Sequence, residues 1–236
     1  MFWLESSACS CVFSHFSDKY SEASYVALVE VKKVYPNVKD SKYYKVDLDV
    51  KEVFKGTKTF SIFISGNYKG DTGAGCGISI PEGTVMILYA DTYEEKLQIN
   101  YCSGTTFIKD PNNTSVKREL LMLKLLKKNG VDFVNHTMLI NNSNSIDLNQ
   151  YDGINLTIGS FALYEITLDS NLQAQGVSII GESGMTTIIH EIQSMISKSK
   201  WKMWNDKKEK PGKLIYAVFY YRDDDDSPGF LSNFDL

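Results

Sequence analysis

Tyr43-Tyr44-Lys45-Val46-Asp47-Leu48-Asp49-Val50-Lys51-Glu52-Val53-Phe54 decides the fold class of the first half of this chain. Tyr44, Val46, Leu48 and Val50 fall on one side of an extended segment, and Lys45, Asp47, Asp49 and Lys51 on the other. A period of two is the mark of a strand with one buried and one wetted face. The carboxylates of Asp47, Asp49 and Glu52 along it read as that wetted face rather than as a catalytic pair.

The same period continues on both sides. Upstream, Ser24–Tyr35 alternates through Tyr25, Ala27, Val29 and Val31, and Pro36–Asp40 is a turn. Downstream, Lys55-Gly56-Thr57 turns the chain into a third strand, Thr59–Ser65. A glycine-dense loop, Gly66–Gly77, carries Cys76. Pro81-Glu82-Gly83 is a tight turn into Thr84–Tyr89, and Lys96–Cys102 is a fifth strand. Ser115–Lys128 is then an amphipathic helix, Leu120, Leu121, Leu123 and Leu125 interleaved with lysines, stopped by Asn129-Gly130. Five short strands and a helix predict a small antiparallel barrel of the OB type with a closing helix, since a β-sandwich wants about seven strands.

The chain has 236 residues, 43% hydrophobic and 12% aromatic, enough for two cores. A net charge of −4 with no basic cluster argues against nucleic acid as the main partner. No stretch approaches the ~18 apolar residues of a membrane helix, so no transmembrane segment is expected. Ser6-Ser7-Ala8 has the small-x-Ala form of a signal-peptidase site, although Met1–Glu5 is too short for a full signal. Residues 1–8 are therefore expected to be a leader remnant, 9–128 the barrel domain, and 129–150 an Asn/Ser-rich linker. Residues 151–236 form the second domain. It reads as strand Gly159–Leu168, turn Asp169-Ser170-Asn171, strand Ala174–Ile180, helix Thr186–Ser199 and strand Lys213–Tyr221, a β-β-α-β layer of α+β type.

The cysteines are Cys9, Cys11, Cys76 and Cys102, all in the first half. They read as a disulfide frame, which implies a secreted, periplasmic or cell-surface protein. Four cysteines allow three connectivities. A four-thiolate zinc site matches poorly, because such sites usually come as C-x₂₋₄-C pairs. No cofactor and no metal of the chain's own is expected.

In the order of Cys9-Ser10-Cys11, Tyr25–Val34, Val50-Lys51-Glu52-Val53-Phe54-Lys55-Gly56, Cys76-Gly77, Pro81-Glu82-Gly83 and Cys102, the first domain resembles the netrin-like domains. Within them it resembles the N-terminal domain of the tissue inhibitors of metalloproteinases. The resemblance implies disulfides Cys9–Cys76 and Cys11–Cys102, with 9–11/76–102 and 9–102/11–76 as the rival pairings. A 9–11 bridge is geometrically poor on an extended segment. It also implies that Cys9, once N-terminal, grips a partner protease's catalytic zinc through its amine and carbonyl. Ser10 would enter the specificity pocket, Val12 would extend the contact ridge, and Gly75-Cys76-Gly77 would flank it. The family's third disulfide at this domain and its six-cysteine C-terminal domain have no counterpart here, which points to simpler, bacterial netrin-like proteins. The alternative role for the four cysteines is purely structural.

The second domain is similar, more loosely, to the C-terminal domain of TonB-type proteins. The matching residues are Glu165–Leu168, Gln175–Ile180, Lys200-Trp201-Lys202 and Pro211-Gly212-Lys213, with Met203 where that family has proline. This implies a sheet edge able to take an extended peptide. No enzyme constellation stands out. His190-Glu191 lacks a second histidine for a zinc-protease helix, Gly181-Glu182-Ser183-Gly184 is one residue short of a nucleophile elbow, and His15 and His136 read as surface residues. The expectation is a non-catalytic protein-binding module, a metalloproteinase inhibitor in its sharpest form. The alternative is an envelope scaffold that captures a peptide on the second domain.

Overall fold

The computed structural model describes residues 15–38, 41–68, 77–136, 139–141, 145–203, 212–222 and 227–234. The chain separates into two compact units. Ala23–Asp110 makes the body of the first, and His15–Glu22 joins Pro111–Leu236 in the second.

The first unit is a closed five-stranded β-barrel. Its strands are β1 (Tyr25–Tyr35), β2 (Tyr43–Lys55), β3 (Ser61–Ser65), β4 (Val85–Tyr93) and β5 (Lys96–Ile99). They run in the order β1-β2-β3-β5-β4, and β4 returns to β1 through the pairs Tyr25↔Ala90 to Glu30↔Val85. All neighbours are antiparallel except β3 and β5, which are parallel. A two-residue strand, β6 (Thr106–Phe107), adds to β4. Closure requires β1 to curl between two neighbours, and three register shifts along its pairing with β2 supply the bends. The alternation read in 43–54 holds as far as Leu48, with Tyr44, Val46 and Leu48 inside beside Val29, Val31, Ile62, Ile64, Leu88 and Ile99; beyond it the register shifts against β1 break the phase, and neighbours Phe54 and Lys55 are both buried. The outer charges make a surface ladder. Lys51 reaches Asp49 at 2.7 Å and Glu30 at 3.1 Å, and Lys32 reaches both carboxylates at 3.3–3.4 Å. Hydrogen bonds from Lys51 and then Lys32 hold Glu30 and Asp49 below the usual carboxylate range.

In the second unit a four-stranded antiparallel sheet runs β12-β11-β8-β9, with β8 Phe161–Leu168, β9 Ala174–Ser183, β11 Lys213–Tyr221 and β12 Phe230–Ser232. One face carries Ala162, Tyr164, Ile166, Tyr216 and Val218, packed with Ile189, Ile192 and Ile196 of helix α3 (Ile189–Ile196). Trp201 is buried among them, edge-on to Tyr216 at 5.7 Å. The opposite face, with Phe161, Leu163, Ala217 and Phe219, is buried as well. Two helices cover it, α1 (Phe16–Glu22) and α2 (Thr114–Lys128).

This arrangement corrects three expectations. Helix α2 does not close the barrel; it belongs to the second unit. Met122, Leu123 and Leu126 are buried there, the Arg118 guanidinium lies 4.7 Å from the Phe219 ring, and Leu125 fits where Gly181 of β9 has no side chain. Residues 16–22, to which the sequence pattern assigns no element, form α1. Phe16 and Tyr20 are its buried side, and Lys19 is ion-paired to Glu119 of α2 at 2.6 Å. Residues 129–150 are not a bare linker. The Val131 carbonyl accepts the Tyr20 hydroxyl proton, Ile146 and Leu148 pack on the α3-side core, and β7 (Leu139–Asn141) pairs with β10 (Trp201–Met203). The second unit is therefore a sheet between two helical layers, not one helix on three strands.

Candidate functional site

The register sets which loops share an end of the barrel. Tyr43 pairs with Ser65 and Tyr35 with Lys45, so the β1–β2 turn lies beside the end of β3. Ile64 pairs in parallel with Ile99, which brings the end of β5 to the same level. The β1–β2 turn, the β3–β4 connection and the turn after β5 therefore meet at one end.

The β3–β4 connection leaves and re-enters through a narrow neck. A Cβ on Gly77 would stand 2.4 Å from the Gly66 Cα, and one on Gly66 would stand 2.8 Å from the Gly77 Cα. The two backbones touch, and only glycine fits at both places. The Ile78 amide donates to the Ser65 carbonyl at 2.9 Å, and the Gly66 amide to the Lys42 carbonyl at 2.9 Å. Tyr44 reinforces the neck from inside. Its hydroxyl donates to the Ile78 carbonyl at 3.1 Å and accepts from the Ile80 amide at 2.8 Å. Burial pushes the Tyr44 phenol up to about 12, so it stays a neutral donor. Asn37 ties the β1–β2 turn to this neck. Its Nδ2 donates to the Gly66 carbonyl at 2.8 Å and its Oδ1 accepts from the Tyr68 amide at 3.0 Å.

Beyond β5, Asn100 builds the turn that presents Cys102. Its Oδ1 accepts from the Cys102 amide at 2.8 Å, while its own amide donates to Ser103 Oγ at 2.8 Å. Cys102 is exposed, and its neighbour Tyr101 is 61% exposed. Of the residues singled out from the sequence, Gly77 and Cys102 thus lie at the same end of the barrel. Cys9, Ser10, Cys11, Val12, Gly75 and Cys76 lie outside the described residues.

Sequence reasoning missed Asn37 and Tyr44. A tyrosine among the aliphatic inner positions of β2 was the available signal, because a buried hydroxyl requires a partner. The second unit's edge is also informative. Gln193 Nε2 donates to the Val177 carbonyl at 2.7 Å and Asn129 Nδ2 to the Ile180 carbonyl at 3.0 Å, so side-chain amides already occupy part of edge strand β9. The opposite edge strand, β12, is three residues long. His190 and His136 are exposed, and no group of three or more His, Cys, Asp or Glu among the described residues is arranged to hold a metal. No helix among them is long and apolar enough to cross a membrane.

No family model matches this chain, and no curated protein matches it.

Proposed function

We propose that the chain is a non-catalytic protein-binding module of netrin-like type, exported from the cytoplasm, whose working surface is the barrel end just described. One observation carries the reading: the Gly66/Gly77 neck and the turn at Cys102 share an end of a closed barrel. Support also comes from the strand order β1-β2-β3-β5-β4 with its parallel β3/β5 pair, which fits a five-stranded OB barrel. Disulfides Cys9–Cys76 and Cys11–Cys102 would anchor an N-terminal segment against this end and limit the entropy lost on docking.

In the sharpest version the module inhibits a zinc metalloproteinase. The free α-amine of Cys9, with an ordinary pKa of about 8, would donate its lone pair to the partner's zinc and displace the attacking water. Ser10 would enter the specificity pocket, and Val12 with Gly75 and Gly77 would flank the contact. The mechanism fails with any residue ahead of Cys9, because an amide nitrogen has no lone pair to give. Peptide capture on the second unit is less favoured, because Gln193 and Asn129 occupy carbonyls an added strand would need.

The test starts with intact mass and N-terminal sequencing of the exported protein, with and without reductant. Inhibition of a purified zinc metalloproteinase is then compared for chains beginning at Cys9 and at an added Ala. Inhibition by the first alone supports the chelating version. A retained leader or a blocked Cys9 ends it and leaves the stapled binding module.

A further inference from the structure

Helix α2 of the second unit turns its two sides to two environments. The inner side buries Val116, Met122, Leu123 and Leu126. The outer side exposes Lys117, Leu121, Lys124 and Lys128. At 3.6 residues per turn these four positions fall in one narrow stripe, about 16 Å long, and Lys127 is exposed beside it. The other two charged residues of the helix, Arg118 and Glu119, are buried, so every exposed charge on α2 is positive. Among the described residues no carboxylate pairs with Lys117, Lys124 or Lys128. The basic residues are scattered along 117–128 in sequence, and only the helix gathers them.

Helix stability does not account for this pattern. The positive end of the helix dipole favours acidic residues in the first turn; α2 has none there, and Lys117 stands in their place. Lys127 and Lys128 in the last turn suit the dipole, but Lys117 and Lys124 gain nothing from it. An exposed helix is usually steadied by opposite charges one turn apart, yet the residue one turn from both Lys117 and Lys124 is Leu121. Leu121 is 42% exposed. A leucine flanked by lysines, whose stems cover apolar surface while their ammoniums reach outward, suits a boundary between water and hydrocarbon.

We propose that the outer face of α2 docks on a lipid bilayer rich in anionic phospholipid, with its lysines at the headgroup phosphates and Leu121 at the acyl boundary. The helix lies flat on the surface, because its apolar side stays in the core of its own unit. Charge complementarity selects an anionic partner, and Leu121 selects a bilayer over a soluble polyanion, which offers no apolar phase. The chain's net charge of −4 does not prevent this, since charges more than about 8 Å from the contact are screened at physiological salt. Each lysine held near such a surface strengthens binding about fivefold, roughly 600-fold for the four. The contact uses no residue of the barrel end, so its outcome is independent of the inhibitory reading.

The experiment mixes the full chain with vesicles of phosphatidylcholine, alone or with about one-third phosphatidylglycerol, and reads the bound fraction by sedimentation at about 0.1 M salt. The expected result is binding to the anionic vesicles only, released at about 1 M salt, where screening is complete within about 3 Å. Lys117→Gln with Lys124→Gln should weaken binding about 25-fold. Leu121→Ser should weaken it about threefold to tenfold. These side chains are exposed, so thermal melts of the variants should stay near wild type and separate lost binding from lost fold. Lys198→Gln with Lys202→Gln removes the same charge on the α3 side of the sheet and should change binding by less than about twofold. Equal binding to both kinds of vesicle, or equal loss from the two lysine pairs, overturns the proposal. So does binding indifferent to Leu121→Ser. Affinity for heparin or an oligonucleotide as high as for the vesicles overturns it too, because charge alone would then suffice.

Discussion

Replacing Gly77 with alanine tests whether the neck at Gly66/Gly77 holds the barrel end together. The added Cβ would lie 2.4 Å from the Gly66 Cα and 3.3 Å from both the Gly66 amide nitrogen and the Ser65 carbonyl oxygen. Carbon atoms rest at about 3.5–4.0 Å, so the two backbone segments must part by roughly 1 Å or more. Backbone has no rotamer with which to escape, unlike the flexible tip of a side chain. Such overpacking costs about 1–3 kcal/mol. Parting the segments also stretches the 2.9 Å bond from the Ile78 amide to the Ser65 carbonyl beyond hydrogen-bond range, worth about 1 kcal/mol more. The total is roughly 2–4 kcal/mol. If the barrel melts as its own unit of about 100 residues, each kcal/mol lowers Tm by about 4–8 °C, and by about half that if the whole chain melts together. Circular dichroism melts of the wild type, Gly77→Ala and Gly176→Ala make the comparison. Gly176 has open space where a Cβ would stand, so its variant is the neutral control. A Gly77→Ala melt within about 1 °C of wild type would refute the neck as a tight backbone contact.

Other perturbations follow from named contacts. Tyr44→Phe removes the hydroxyl between Ile78 and Ile80 and orphans the Ile80 amide, a loss of about 1–3 kcal/mol measurable by urea unfolding. Because burial raises the folded-state phenol from 10.0 to about 12, the unfolded chain ionises first. Tyr44 therefore stabilises fully below pH 10, and that contribution fades as pH rises through 12; the variant should show a shallower alkaline slope. Lys19→Met strips Glu119 of an ammonium 2.6 Å away on the buried seam between α1 and α2, and should cost about 3 kcal/mol, whereas Lys19→Met with Glu119→Leu should recover most of it. Asp169 accepts the Gln173 amide at 2.9 Å and the Asn171 amide at 2.8 Å, which lowers its pKa. Its contribution is present above the ordinary carboxylate pKa and is lost as pH falls through the lowered one. Asp169→Ala should therefore lower Tm at neutral pH and leave it closer to wild type in acid.

What the sequence reveals depends on whether burial has a local signature. Residues 43–48 alternate because one side of the strand faces the barrel core and the other faces water, so pattern and structure carry the same information there. The helix at 114–128 was equally legible as a helix, with Asn113 capping the Ser115 and Val116 amides. Its partner was not. An amphipathic stripe says that a face is buried, never against what. The contacts that decide it are a guanidinium on Phe219, about a hundred residues on, and the missing side chain of Gly181. Helix α1 left almost no local mark. Seven residues are too few to be helical alone, and Phe16 and Tyr20 are helical only because the second unit covers them. The last long strand does carry a local signature of its surroundings. Lys213–Tyr221 runs nearly unbroken through Leu, Ile, Tyr, Ala, Val, Phe and Tyr, the composition of a strand covered on both faces, and both faces are covered.

The same logic explains why the candidate site is half legible. The glycines at 66 and 77 stand at the ends of a glycine-dense stretch of sequence, and only the pairing of Tyr43 with Ser65 and of Ile64 with Ile99 makes them a pinched neck beside the Cys102 turn. A staple and an inhibitory ridge require the same neck, the same turn and the same covalent tie, so no substitution that merely weakens this end can tell them apart. A probe that spares the fold and alters one atom's chemistry can. Adding a single residue ahead of Cys9 leaves a staple intact and removes the lone pair that a zinc ion would need, so fold and inhibition must separate in that one variant if the ridge is real.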